Sequence, residues 1–213
     1  MGGWSIRWTR LIRRWIANNN TLNRATHRHL MNRYFRLGSL RVFGAPVYVH
    51  WTVLAVSAVL LAYSIKAPFT ALAALGSYFG IILLHETGHA YLARRAGARV
   101  EAIYLGLFHG MCVHEVPARQ RDIYVIAWGG ALAQLAVALP LILLANLTPA
   151  ARWPIIGEVV LYLGYVSLLV AAVNLIPAPG LDGEHAWRLL RWPSGLHKQN
   201  AAAKRPKHLR RVK

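Results

Sequence analysis

Apolar residues gather into four long stretches, 47–65, 67–93, 123–147 and 155–173, each punctuated by charge, proline or glycine. A helix needs about 20 residues to cross a hydrocarbon core. The pattern therefore predicts an all-α polytopic membrane protein with about four transmembrane helices. In the connection between the second and third stretches, residues 100–107 and 111–116 are rich in β-compatible types and flank a His109-Gly110 turn, which predicts a short hairpin. Ahead of the first stretch, Trp4, Trp8, Leu11, Ile12 and Trp15 recur at helical spacing, with Arg7, Arg10, Arg13 and Arg14 on the other face. Such a segment reads as a helix lying in the membrane interface or as a basic flank that fixes topology. An Arg-rich, acid-free arm also has the composition of an organelle transit peptide.

Charge sharpens this picture. The 213 residues carry 25 Lys and Arg against 7 Asp and Glu, a formal +18, and only 15% are charged. A soluble domain has about 25%. Most bases lie before residue 47 or after residue 187, so nucleic acid is not needed to explain them, and no direct nucleic-acid binding is expected. The connection after the second stretch holds Arg94, Arg95, Arg99, Arg119 and Arg121, whereas the other two hold Lys66 and Arg152. The positive-inside rule then puts both termini and residues 94–122 in the cytoplasm. The basic ends are expected to contact anionic lipid headgroups. A lone Cys112 forms no internal disulfide and reads as a small apolar residue.

The chemistry lies in the second stretch, where His85-Glu86-Thr87-Gly88-His89 forms an H-E-x-x-H motif. Residues four apart share a helix face, so both imidazoles can address one metal ion with Glu86 beside it. Two imidazoles and a carboxylate suit zinc, which lowers the pKa of a bound water so that an adjacent Glu can accept its proton. Ionisable residues at membrane depth are costly and functional by default. For the third ligand, Glu158 opens the fourth stretch at its far end, while Glu101, Glu115 and Asp122 belong to the connecting loop. Asp182 follows Asn174-Leu175-Ile176-Pro177-Ala178-Pro179-Gly180-Leu181, a broken segment of the kind tolerated at membrane depth only beside protein or a wet cavity. Asp182 either faces that cavity or caps a following helix. His185 is the rival ligand, because a three-histidine site is chemically acceptable. His50 is expected at the opposite membrane face, and His109 and His114 as solvated loop residues.

These residues resemble the site-2 protease family of intramembrane zinc metalloproteases, in the branch without an inserted PDZ domain. His85-Glu86-Thr87-Gly88-His89 matches its zinc helix, and Asn174 to Gly183 is similar to its N-x-x-P-x-x-x-L-D-G segment. Gly44-Ala45-Pro46-Val47-Tyr48-Val49-His50-Trp51 is similar to the family's G-x-P-x-x-V-H-W lead into the first span. Trp128-Gly129-Gly130-Ala131-Leu132-Ala133-Gln134 resembles A-G-P-L-A-N, with Ala131 in place of Pro and Gln134 in place of Asn. Glu184 stands where the family more often repeats Gly.

The resemblance implies one Zn2+ per chain held by His85, His89 and Asp182, with Glu86 as general base and later proton donor. Asn174 would position substrate, although it could equally satisfy carbonyls freed by Pro177 and Pro179. The hairpin would be a re-entrant element whose edge takes the unwound substrate as an added strand. Residues 1–46 would form a basic arm, 47–191 the membrane-embedded metalloprotease domain and 192–213 a basic tail. The implied activity is peptide-bond hydrolysis in or near the transmembrane segment of a single-span protein, such as an anti-sigma factor or a membrane-tethered transcription regulator. The expected location is a bacterial cell (inner) membrane. A membrane metal-ion transporter and a catalytically inactive scaffold are the alternatives.

Overall fold

The computed structural model describes residues 33–190. The interfacial-arm reading of Trp4 to Trp15 and the basic tail 192–213 lie outside the described residues.

The described chain starts with two strands, β1 (Tyr34–Val42) and β2 (Ala45–His50), paired antiparallel around Phe43 and Gly44. Both turn residues have positive φ, 52° and 87°, as a tight hairpin turn requires. β2 runs straight into α1 (Trp51–Tyr63), whose first turn is capped by the His50 ring accepting from the Thr52 N–H. α2 (Pro68–Arg95) begins on a proline, whose fixed φ suits a first turn, and stops before Gly97 at φ 79°. Next come β3 (Val100–Leu105) and β4 (Gly110–His114), then α3 (Gln120–Ala127) and α4 (Gly129–Leu147), joined through Trp128. A last long helix, α5 (Pro154–Asn174), has a π-helical middle at Val160–Val166. The short α6 (Gly183–Ala186) follows the broken segment.

The four strands form one sheet in the order β1-β2-β3-β4, with β2 and β3 parallel and Val47 opposite Ile103. Val47, Val49, Ile103 and Leu105 pack with Ile82, Ala90 and Ala93, so the sheet covers the second half of α2. Exposed Leu132, Leu139, Leu143, Leu161 and Leu169 line the outer faces of α4 and α5. So much exposed apolar surface belongs against lipid rather than water.

Three helical segments are long and apolar enough to cross a membrane: α2, α3 with α4, and α5. They support a multi-pass integral membrane protein. Three expectations change. The stretch 47–65 is not one span, because 47–50 lies on β2 and α1 has only 13 residues. Its rise is roughly 20 Å, short of a hydrocarbon core of about 30 Å. The cause is visible in β2, where alternate residues are buried: a short apolar run does not by itself separate a buried strand from a helix. The fold is mostly helical but not all-α, since the hairpin of β3 and β4 is half of a sheet that continues into β1 and β2. His50 likewise does not lie at the opposite face. Its neighbour Val49 pairs with Leu105, Leu105 pairs with Gly110, and Gly110 abuts Glu86.

Candidate metal centre

His85, Glu86 and His89 lie on the α2 face covered by the sheet and by α4, and all three are buried. Helix α4 comes this close because glycines face each other at the crossing, with only the Ala133 methyl beside them. A Cβ on Gly88 would strike the backbone of Gly129, and one on Gly129 the backbone of Gly88. Gly130 lies flush against the His85 ring, where a Cβ would overlap the imidazole.

The crossing also delivers Gln134, which is fully buried. The His85 Nδ1–H donates to Gln134 Oε1 at 2.9 Å, and the His89 Nδ1–H donates to the Ile126 carbonyl at 2.8 Å. A carbonyl only accepts, so each ring keeps its proton on Nδ1 and turns an Nε2 lone pair inward.

Asp182 meets these lone pairs from the far side of the fold. Its Oδ2 lies 3.0 Å from His85 Nε2 and 3.2 Å from His89 Nε2, and the two Nε2 atoms are 3.0 Å apart. The ligand-type atoms of the three residues all lie within 4.8 Å of one another. Asp182 Oδ2 is buried with no hydrogen-bond donor. Three acceptors converging in a buried place repel unless protons or a cation sit among them, and a metal ion satisfies all three in their ligand form. Two imidazole nitrogens and a carboxylate oxygen are a donor set that suits zinc.

Two indoles hold the Asp182 segment. Trp128 Nε1–H donates to the Ala186 carbonyl at 2.9 Å, Trp187 Nε1–H donates to the Leu175 carbonyl, and the two rings meet edge to face. The Asp182 side chain makes no capping bond to α6, so the capping alternative does not describe it.

Glu86 stands beside the ligand group with the hairpin against it. The Cys112 backbone N–H donates to its carboxylate, and a Cβ on Gly110 would press on it at 2.5 Å. The Cys112 thiol is pushed up to about 12, by burial first and the Glu86 charge second. A cavity of about 440 Å³ opens here, lined among others by Glu86, His109, Gly110, Asn174 and His185.

All five residues singled out from the sequence, His85, Glu86, His89, Asn174 and Asp182, thus line one cavity. His185 lines it too but stands outside the ligand group, its Nδ1 buried without a partner. Glu184 points elsewhere, accepting from the Gly180 N–H at 3.4 Å and lying 3.8 Å from Arg188. His109 and His114 line the cavity rather than standing free of it. Among the described residues no second group of three ligand-type side chains converges. Sequence reasoning missed the partners that orient the ligands. Gln134 was visible only as a departure from a motif, although a lone polar residue in an apolar span is a signal in itself. The Ile126 carbonyl and the Cys112 amide leave no trace in a sequence.

No family model matches the chain. Over 167 residues it is 32% identical to Rip3 of Mycobacterium tuberculosis, provisionally named a zinc metalloprotease, a match covering 71% of this chain and 42% of Rip3. It is 31% identical over 181 residues to the provisionally named zinc metalloprotease sll0528 of Synechocystis, covering 76% of this chain and 45% of that protein. It therefore spans less than half the length of these curated relatives. Among solved structures, the site-2 protease from Methanocaldococcus jannaschii shares the fold, with a TM-score of 0.56, 22% identity, and coverage of 80% of this chain and 78% of that one.

Proposed function

Because the chain belongs to the site-2 protease family, we propose that it is an intramembrane zinc metalloprotease that hydrolyses a peptide bond in or near the transmembrane segment of a single-span membrane protein. The observation that carries this is the inward convergence of His85 Nε2, His89 Nε2 and Asp182 Oδ2 beside a buried Glu86.

His85, His89 and Asp182 would hold the zinc. When bound, the ion supplies a Lewis acid and a water made acidic near neutral pH. Glu86, kept in place by the Cys112 amide, takes a proton during attack on the scissile carbonyl and returns it to the leaving amine. Asn174 lines the same cavity and holds the substrate backbone by its carboxamide. A transmembrane helix hides its carbonyls in internal bonds, so a substrate must unwind before it can be cut. β4 is an outer strand of the sheet and passes Glu86, so its free edge offers backbone partners to an unwound segment. The reading extends, on the family resemblance, to substrates of the anti-sigma or membrane-tethered regulator kind acting in regulated intramembrane proteolysis, and, on the charge pattern, to a bacterial inner-membrane location with cytoplasmic termini.

Glu86→Gln tests the reading. The variant is expected to keep its zinc and to lose cleavage of a co-expressed single-span reporter by about 10²–10⁴-fold. Unchanged cleavage would sink the mechanism. Single-span proteins that accumulate in cells carrying this variant would be the substrates.

A further inference from the structure

Where the β1–β2 turn meets the end of α2 there is a second concavity, of about 720 Å³. Arg41, Arg94 and Arg99 border it, and Glu101 is the carboxylate in its lining. Two of the guanidinium groups are anchored to the same turn. Arg41 Nη1 donates to the Gly44 carbonyl at 3.1 Å and Arg94 Nη1 to the Phe43 carbonyl at 3.0 Å. Arg94 also lies over the Phe43 ring, 5.4 Å from its centre. A guanidinium has five N–H donors, so each anchored arginine keeps four for a ligand while its position is already set. Planar forks of this kind match phosphate oxygens.

The location says which phosphate. Arg94 follows His89 by five residues, about 7.5 Å along the helix axis. It lies near the end of an apolar helix of 28 residues, long enough to span a membrane, and a span of that length reaches from the hydrocarbon into the headgroup layer. Beside it the exposed rings of Phe43 and Tyr91 sit 6.0 Å apart, an aromatic shelf with Arg94 over the first ring and Arg95 over the second. A free anion has no use for that shelf. A lipid has both a phosphate for the arginines and a glycerol and acyl part for the rings.

We propose that this concavity is a binding site for the phosphodiester headgroup of an anionic phospholipid, which fixes the depth of the metal-binding end of α2 below the membrane surface. The test is native mass spectrometry of the full chain released from nanodiscs of phosphatidylcholine and phosphatidylglycerol in equal parts. Phosphatidylglycerol is expected to be retained preferentially, and Arg94→Gln with Arg99→Gln to weaken that retention by about fivefold per arginine. Arg99→Gln alone leaves both turn-anchoring bonds in place and should show a single such step even if the double variant folds poorly. Zinc content should match the parent in each case, and Arg152→Gln, in the connection between α4 and α5 and away from this concavity, should retain lipid as the parent does. Parent-level retention in Arg99→Gln would overturn the proposal, as would an equal loss of the lipid in Arg152→Gln. Complete release by millimolar inorganic phosphate, or by an acidic peptide, would overturn it in favour of a free anion or a protein segment.

Discussion

His85 and His89 sit mid-helix, oriented by Gln134 and Ile126 and wedged by the glycine crossing with α4, whereas Asp182 sits on an irregular segment tied down by two indole N–H bonds. The helix half of the ligand set is fixed by packing that any shift would break. The loop half is fixed by a few bonds that can open one at a time. One centre thus combines a wall held by close packing with one held by a few hydrogen bonds.

Removing the ligands themselves should give the largest effects. His89→Ala is expected to empty the site and Asp182→Asn to lower zinc occupancy, both read as metal content of purified protein. If Asp182→Asn stays fully loaded while His185→Ala empties the site, the loop supplies a different ligand. Next, Gly130→Ala drives a methyl into the His85 ring. Overpacking costs about 1–3 kcal/mol, to be seen as a lower unfolding midpoint together with weaker zinc retention. Unaltered stability and retention would show that the close-packed wall yields.

Gln134→Leu keeps the bulk but removes the acceptor that holds the His85 tautomer, and loss of such a partner typically costs about 10–100-fold in metal affinity. Competition with a chelator measures it, and Gln134→Glu should recover much of the loss. The smallest effect belongs to the loop. Trp128→Phe keeps the ring packing and removes one hydrogen bond, worth about 1 kcal/mol. It should speed zinc loss to a chelator more than Gln134→Leu does relative to its effect on affinity. Equal behaviour of the two variants would erase the distinction between the walls.

Much of the site was legible because its chemistry is local or unusual. The H-E-x-x-H spacing puts two candidate ligands and the proposed base on one helix face, and carboxylates are so few that Asp182 stood out. The hairpin at 100–116 was also legible, since its strands and turn are contiguous. The pairing of β3 with β2 was not, because it joins residues more than fifty positions apart and a parallel partner has no local turn to announce it. Val47 and Val49 therefore read as the start of a span, and α1 as longer than its 13 residues. Gln134 was hidden for a related reason: its partner lies 49 residues away, and only the close helix crossing brings the two together.

Gly88 and Gly129 meet backbone to backbone, so no side chain there can change rotamer to let an ion past. The open side of the centre is the cavity lined by Glu86, His109, Gly110, Asn174 and His185. An ion exchanging there would pass the Asp182 segment and the hairpin turn, so these, rather than the histidine helix, border its path.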